Sequence, residues 1–278
     1  MKNGLYIVAT PIGNLADISE RARTVLNEAD VIACEDTRVS RKLFSLLGLN
    51  AAKPFITCED HNEGEQAQKL ISLITDEGKS VALISDAGSP LISDPGYKLV
   101  HRCRRQGVYV CTIPGCCAVV AALQLSGLPT NRFMFVGFIP NKDKARLDLF
   151  NEVKSIKTTL VFYETANRIV KTLTAAAEVF GSREMAVARE ITKVYEECVN
   201  GTAAELIGIF NQKEPRGEMV LMIAPPEDGQ VPEINVESLL RQKLAQMPLK
   251  SAVKDLVSVY GLNKNDVYAL ALKIKDEQ

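Results

Sequence analysis

The stretch Val81–Pro95 reads VALISDAGSPLISDP and carries an apolar strand straight into Asp86, Ala87, Gly88, Ser89 and Pro90. Asp, Gly and Pro bend a chain cheaply, so the segment can be an ordinary turn. It can also be a cradle for a polar small molecule at the end of a parallel sheet, where open α/β folds put their ligands. Three further turns have the same character: Thr10-Pro11-Ile12-Gly13-Asn14, Glu35-Asp36-Thr37-Arg38 and Pro114-Gly115-Cys116-Cys117-Ala118. If the strands before them are parallel, all four turns lie at one end of a sheet and converge on a single crevice.

The elements around these turns satisfy that condition. Short β-rich runs at Leu5–Thr10, Val31–Cys34, Pro54–Thr57, Val81–Ser85 and Val108–Thr112 alternate with amphipathic helical stretches, the pattern of βαβ units on a parallel sheet. Ser19 caps a helix through Asn27, Ser40 starts one through Leu47, Glu63–Thr75 is helical, and Asp94-Pro95 opens a helix through Arg105. After a small-residue helix at Ala118–Leu125 the pattern changes. Strands are expected at Phe133–Phe138, Thr159–Tyr163, Met185–Glu190 and Glu218–Ala224, with helices at Lys144–Val153, Asn167–Phe180 and Ala203–Phe210. The chain divides into an α/β domain over 1–116 with a parallel sheet, an α/β domain over 117–226 with a mixed sheet, and a helical extension over 233–278. The linker is PPEDGQVP at Pro225–Pro232.

Composition narrows the chemistry. With 278 residues, 46% of them hydrophobic, there is enough apolar material for real cores. No apolar run is long enough to span a bilayer, and the N-terminal stretch does not read as a signal peptide, which points to the cytoplasm. Seven cysteines without a CxxC pair, and only two histidines, argue against a disulfide framework, a zinc site or a histidine triad. GxxxxGK[ST], GxGxxG after the first strand and GxSxG are all absent. A net charge of −1 neither requires nor excludes a nucleic-acid partner.

The strings YIVATPIGNLADIS, CEDTRVSRKL, HNE, ISDAGSPLISDPGYKLV, SGLPTNRFMFVGFIP, VFYETANR, AREITKVYEE and PRGEMVLMI, in this order, resemble the small-subunit ribosomal RNA methyltransferases that modify a cytidine 2'-hydroxyl. These belong to the tetrapyrrole methylase-like superfamily. The resemblance extends into the tail at LKSAVKDLVSVYGLNKNDVYALAL. It implies S-adenosylmethionine in a cleft between two α/β domains, a homodimer, and 16S rRNA within the small ribosomal subunit as partner. It implies that Pro11, Asp86, Ala87, Gly88, Ile92, Cys117 and Ala118 meet the cofactor, with Phe162, Pro215 and Gly217 on the second-domain side. This chain has a thiol at Cys117 where such enzymes commonly carry a hydroxyl. Its YETANR also lacks their usual histidine.

A neutral hydroxyl is a weak nucleophile, so transfer to it needs alignment and a route for its proton. Glu35, Asp36, Glu190 and Lys193 are the candidates for that chemistry, and Arg38, Arg168 and Arg189 for contacts to phosphate. Two other readings stay open at this point: a methyltransferase of the same fold acting on a tetrapyrrole or another small molecule, and a non-catalytic RNA-binding assembly protein. TPIGN in place of a GPG turn speaks against the first of these.

Overall fold

The computed structural model describes residues 1–59, 63–212, 216–226, 236–244, 247–260 and 264–276. His61, Pro215 and most of the 225–232 linker lie outside them. The first sheet is built from β1 (Gly4–Val8), β2 (Val31–Cys34), β3 (Phe55–Thr57), β4 (Ser80–Ile84) and β5 (Val110–Ile113). Its order is β3-β2-β4-β1-β5 and every neighbouring pair is parallel. Between the strands run α1 (Glu20–Glu28), α2 (Thr37–Leu47), α3 (Glu63–Thr75) and α4 (Tyr97–Arg105). Both faces of the sheet are covered by apolar side chains, Leu70, Ile71 and Leu99 on one and Leu26 and Phe44 on the other. That burial explains the near-continuous hydrophobic runs of β2 and β4.

The helix ends follow local chemistry. Ser19 caps α1, its hydroxyl accepting the Ala22 N–H at 3.1 Å. At the other end Lys53 donates to the carbonyls of Leu26, Asn27 and Ala29 at 3.0, 2.7 and 2.6 Å, where a cation meets the negative end of the helix. Ser40, expected to start α2, is instead buried inside it. The cap is Asp36, whose carboxylate accepts the Arg38 N–H at 2.7 Å, so the helix begins directly after the acidic pair that ends β2.

The second sheet follows α5 (Ala118–Ser126). It consists of β6 (Phe133–Phe138), β7 (Thr159–Thr165), β8 (Met185–Arg189), β9 (Glu197–Gly201) and β10 (Glu218–Ile223), in the order β6-β7-β10-β8-β9. Only β6 and β7 are parallel; the other pairs are antiparallel, so the sheet is mixed. One face packs on α6 (Asp143–Val153), α7 (Ile169–Phe180) and α8 (Ala203–Gln212) through Phe150, Leu173 and Phe210. The other face packs on α5 through Val119, Ala122 and Leu123, and Ile12 from the loop after β1 reaches the same cluster. Strand β9 has no counterpart in the sequence reading, because ECVNG lacks an apolar alternation.

Both sheets belong to one compact unit, Met1–Pro225. The tail forms a second unit with α9 (Val236–Leu244), α10 (Leu249–Tyr260) and α11 (Lys264–Asp276) around a small core of Leu240, Val253, Leu256, Val267, Ala271 and Ile274. Lys243 pairs with Asp255 between α9 and α10. No helix among the described residues is long and apolar enough to cross a membrane.

Candidate active site

The carboxyl ends of the parallel strands face the second sheet across a cavity of about 330 Å³. Its floor is tied together by a backbone bridge between the loops after β1 and β4. The Thr10 N–H donates to Gly88 O at 2.8 Å, and the Gly88 N–H donates to Thr10 O at 3.1 Å. Gly88 sits at φ +85, and a Cβ there would stand 3.2 Å from Ile12 Cγ2. Both the left-handed backbone and the close approach therefore call for glycine.

Asp86 lines the cavity beside Glu35, and its Oδ1 accepts the Asp36 N–H at 3.2 Å. Burial pushes the Asp86 carboxyl above the usual carboxylate range, and the negative charge of Asp36 adds to this. Asp36 is in the opposite situation. The Arg38 guanidinium grips it at 2.7 to 3.2 Å and holds its carboxyl down at about 2. Asp36 thus caps a helix and neutralises Arg38.

The second sheet supplies the other wall. Glu190, directly after β8, has φ +50, and Thr192 has φ +68; for residues with side chains this is a constrained turn. Lys193 closes it, its N–H donating to Glu190 O at 2.9 Å and its Nζ lying 3.0 Å from Glu190 Oε1. The turn is seated by two glycines. A Cβ on Gly13 would lie 2.8 Å from both Thr192 Oγ1 and Lys193 Cγ, so the loop after β1 packs against it. A Cβ on Gly217, at φ +84, would lie 2.5 Å from Glu190 Oε1. Gly217→Ala is accordingly expected to displace the Glu190 carboxylate and lower turnover about tenfold while the protein still folds. Steady-state kinetics beside a melting curve checks this, and unchanged kcat would show that Glu190 needs no such seat.

Tyr163 lines the cavity from β7, and burial pushes its phenol up to about 12, so it can donate a hydrogen bond but not abstract a proton. Its neighbour Phe162 is the sequence assignment that the structure reverses. Alternate residues of a strand face opposite sides, and Phe162 points away from the cavity into the core against Phe150.

The arginines are also reassigned. Arg168 donates to Glu164 Oε1 through Nε at 2.6 Å and to Ile139 O through Nη2 at 2.8 Å, and Glu164 is buried. A buried carboxylate needs such partners, so Arg168 belongs to the frame of the second sheet rather than to phosphate recognition. Thr172 completes the network with a 2.5 Å bond to Glu164 Oε2. Thr172→Val is expected to cost about 1.5 kcal/mol of stability. Urea unfolding would read this as a lower midpoint at constant slope. Arg189 lies opposite Glu197 in the β8–β9 ladder and pairs with it at 2.7 Å. Arg38 is 90% exposed with its guanidinium on Asp36.

Glu35, Asp86, Ala87, Gly88, Ile92, Cys117, Ala118, Glu190 and Lys193 are brought together around the one cavity. Pro11 is buried, and its neighbour Ile12 supplies the contact; Gly217 immediately precedes the lining residues Glu218–Val220. Pro215 lies outside the described residues. Phe138, Tyr163, Asp94 and Glu218 also line the cavity without having been singled out. Asp94 reads in sequence as a helix start, but α4 begins after Gly96 without a side-chain cap, and Asp94 faces the cavity.

Comparison with known families identifies the class of protein in which a parallel and a mixed sheet enclose this cleft. Residues 4–207 match the family of tetrapyrrole (corrin/porphyrin) methylases, to which the chain belongs. Residues 230–275 match the RsmI C-terminal HTH domain. The chain is 44% identical over 274 residues to ribosomal RNA small subunit methyltransferase I of Pasteurella multocida, covering 97% of this chain and 96% of that protein. Among solved structures, diphthine synthase shares the fold with a TM-score of 0.61 at 18% identity, covering 79% of this chain and 89% of that one. Uroporphyrin-III C-methyltransferase from Thermus thermophilus, complexed with S-adenyl homocysteine, does so at 0.52 and 19%, covering 80% and 97%.

Proposed function

We propose that this chain transfers a methyl group from S-adenosylmethionine to the 2'-hydroxyl of a cytidine in small-subunit 16S ribosomal RNA. The observation that supports this reading most is the near-full-length similarity to a ribosomal RNA small subunit methyltransferase, tail included. The cleft fits the cofactor. Among the described residues, Glu35, Asp86, Asp94, Glu164, Glu190 and Glu218 line it together with Lys193, an acidic excess that suits a ligand bearing a sulfonium and an amino group. Gly88 leaves room for close backbone approach, and Ile12 and Val220 offer apolar walls for a purine. When bound, S-adenosylmethionine supplies an electrophilic methyl carbon.

Within this reading the protein's task is to align the hydroxyl and to receive its proton. Glu190 Oε1, fixed by its strained turn, by Lys193 and by the space above Gly217, is the proton acceptor. Lys193 orients it through the 3.0 Å contact of its Nζ. Asp86 holds the cationic end of the cofactor. The functional division runs between residues 1–116 and 117–226, and the protein works as a cytoplasmic homodimer on the small ribosomal subunit.

The test is incubation with methyl-labelled S-adenosylmethionine and, in separate arms, 30S subunits, free 16S rRNA and a tetrapyrrole precursor. Label recovered after nuclease digestion as 2'-O-methylcytidine is the expected result. Label in the tetrapyrrole alone, or on a base, would overturn it. Sedimentation equilibrium reads the dimer mass.

A further inference from the structure

Regular alternation along β6 would place Phe135 and Gly137 on one face and Val136 and Phe138 on the other. The ladder does not follow that pattern. Phe135 pairs with Val161, Gly137 with Phe162 and Phe138 with Tyr163, and the register shift leaves Val136 without a partner. This is a bulge, made at Gly137 with φ +95. Its effect is that Val136 and Ile139 both join the core face, while Phe138 turns to the cleft face beside Phe135 and Tyr163.

The re-aimed ring is 60% exposed although it lines the cleft. The Tyr163 ring supports it edge-on, with centroids 5.2 Å apart at 61°. Across from the bulge, a Cβ on Gly137 would lie 4.0 Å from Ser93 Oγ, so the end of β6 meets the loop after β4. In that loop Leu91 and Ser93 both have left-handed φ, at 73 and 65, and the half-exposed Ile92 between them lines the same cleft. A large, rigidly backed aromatic face at the mouth of a cleft is unexplained by burial. An unstacked nucleotide can carry its ribose into such a cleft, and an unstacked base is held by an aromatic plane.

We propose that Phe138 is the stacking platform for the base of the nucleotide whose 2'-hydroxyl is methylated. This rests on the function proposed above. The bulge in β6 is then a positioning device, and Phe138 contributes to RNA affinity and not to cofactor affinity.

The experiment compares Phe138→Ala, Phe138→Leu and Phe138→Trp with the wild-type chain. Three quantities are measured: the half-saturating concentration of 30S subunits in methyl transfer, cofactor affinity by calorimetry, and melting temperature. Loss of one stacked base predicts a rise of about tenfold or more in half-saturation for Phe138→Ala. Phe138→Leu keeps most of that loss, Phe138→Trp restores wild-type behaviour, and cofactor affinity stays within twofold in all three. Leucine performing as well as phenylalanine would reduce the ring to an apolar cover and overturn the proposal, as would cofactor affinity falling in step with RNA affinity. A wild-type chain that methylates no RNA defeats the parent reading. A wild-type chain active on 30S subunits beside an equally active Phe138→Ala defeats this one alone.

Discussion

Glu190→Gln is expected to lower methyl transfer to 30S subunits about a thousandfold, within the range removed with a general base. The substitution is nearly isosteric, and a carboxamide oxygen can still accept from Lys193 Nζ, 3.0 Å away in the wild-type turn. The turn is further held by the Lys193 N–H on Glu190 O and by packing against Gly13. Folding and cofactor affinity should therefore change little, and the loss should fall on kcat. Single-turnover kinetics at saturating RNA and cofactor isolates that step. A rate within threefold of wild type would remove Glu190 from proton transfer and pass the role to Glu35, the other cleft carboxylate named from the sequence as a candidate for that chemistry. Lys193→Met is the companion measurement, since loss of the ammonium should misorient Glu190.

Asp86→Asn carries effects of opposite sign on binding and on stability. Calorimetry should show cofactor affinity weakened at least thirtyfold, because a partly desolvated carboxylate facing a cation is replaced by a neutral amide. The melting temperature at neutral pH should hold or rise. Burial raises the folded-state pKa of Asp86 above its value in the unfolded chain. A carboxylate raised in this way favours the fold below the unfolded value, about 3.9, and that contribution is lost as pH rises through the folded value. At neutral pH the ionised Asp86 works against folding, and asparagine relieves this while its oxygen still accepts the Asp36 N–H. The wild type should also lose cofactor affinity as pH falls through the raised Asp86 pKa, a dependence missing from the variant. Unchanged affinity would remove Asp86 from the cofactor site, and a large drop in melting temperature would show that its carboxylate supports the fold.

The parallel sheet was legible because its strands are apolar over their whole length and each ends in Gly, Pro or acidic residues. That pattern points to Asp86, Gly88 and Glu35, which line the cavity. Four kinds of information were not local. The facing of Phe162 and Tyr163 depends on which side of β7 meets α5, and a one-residue error in parity exchanges core for cleft. The bulge at Gly137 leaves no mark that distinguishes it from an ordinary strand glycine, so Phe138 escaped notice. Arg168 and Arg189 read as free cations until the fold supplies Glu164 and Glu197 as their partners. Strand β9 is formed by its pairing with β8 more than by its own propensity.

The bridge between Thr10 and Gly88 has a consequence for motion. Because these two amides are bonded to each other across the ends of adjacent central strands, the floor of the cleft shares the cooperative unit of the first sheet. In amide hydrogen exchange both should be protected nearly as well as β1 and β4 themselves. The rim is built differently: just beyond Lys193, Val194 and Tyr195 are 92% and 75% exposed, with little buried surface to hold them. The amides of Thr10 and Gly88 therefore exchange only when the sheet opens, whereas those of Val194 and Tyr195 should exchange through smaller local openings.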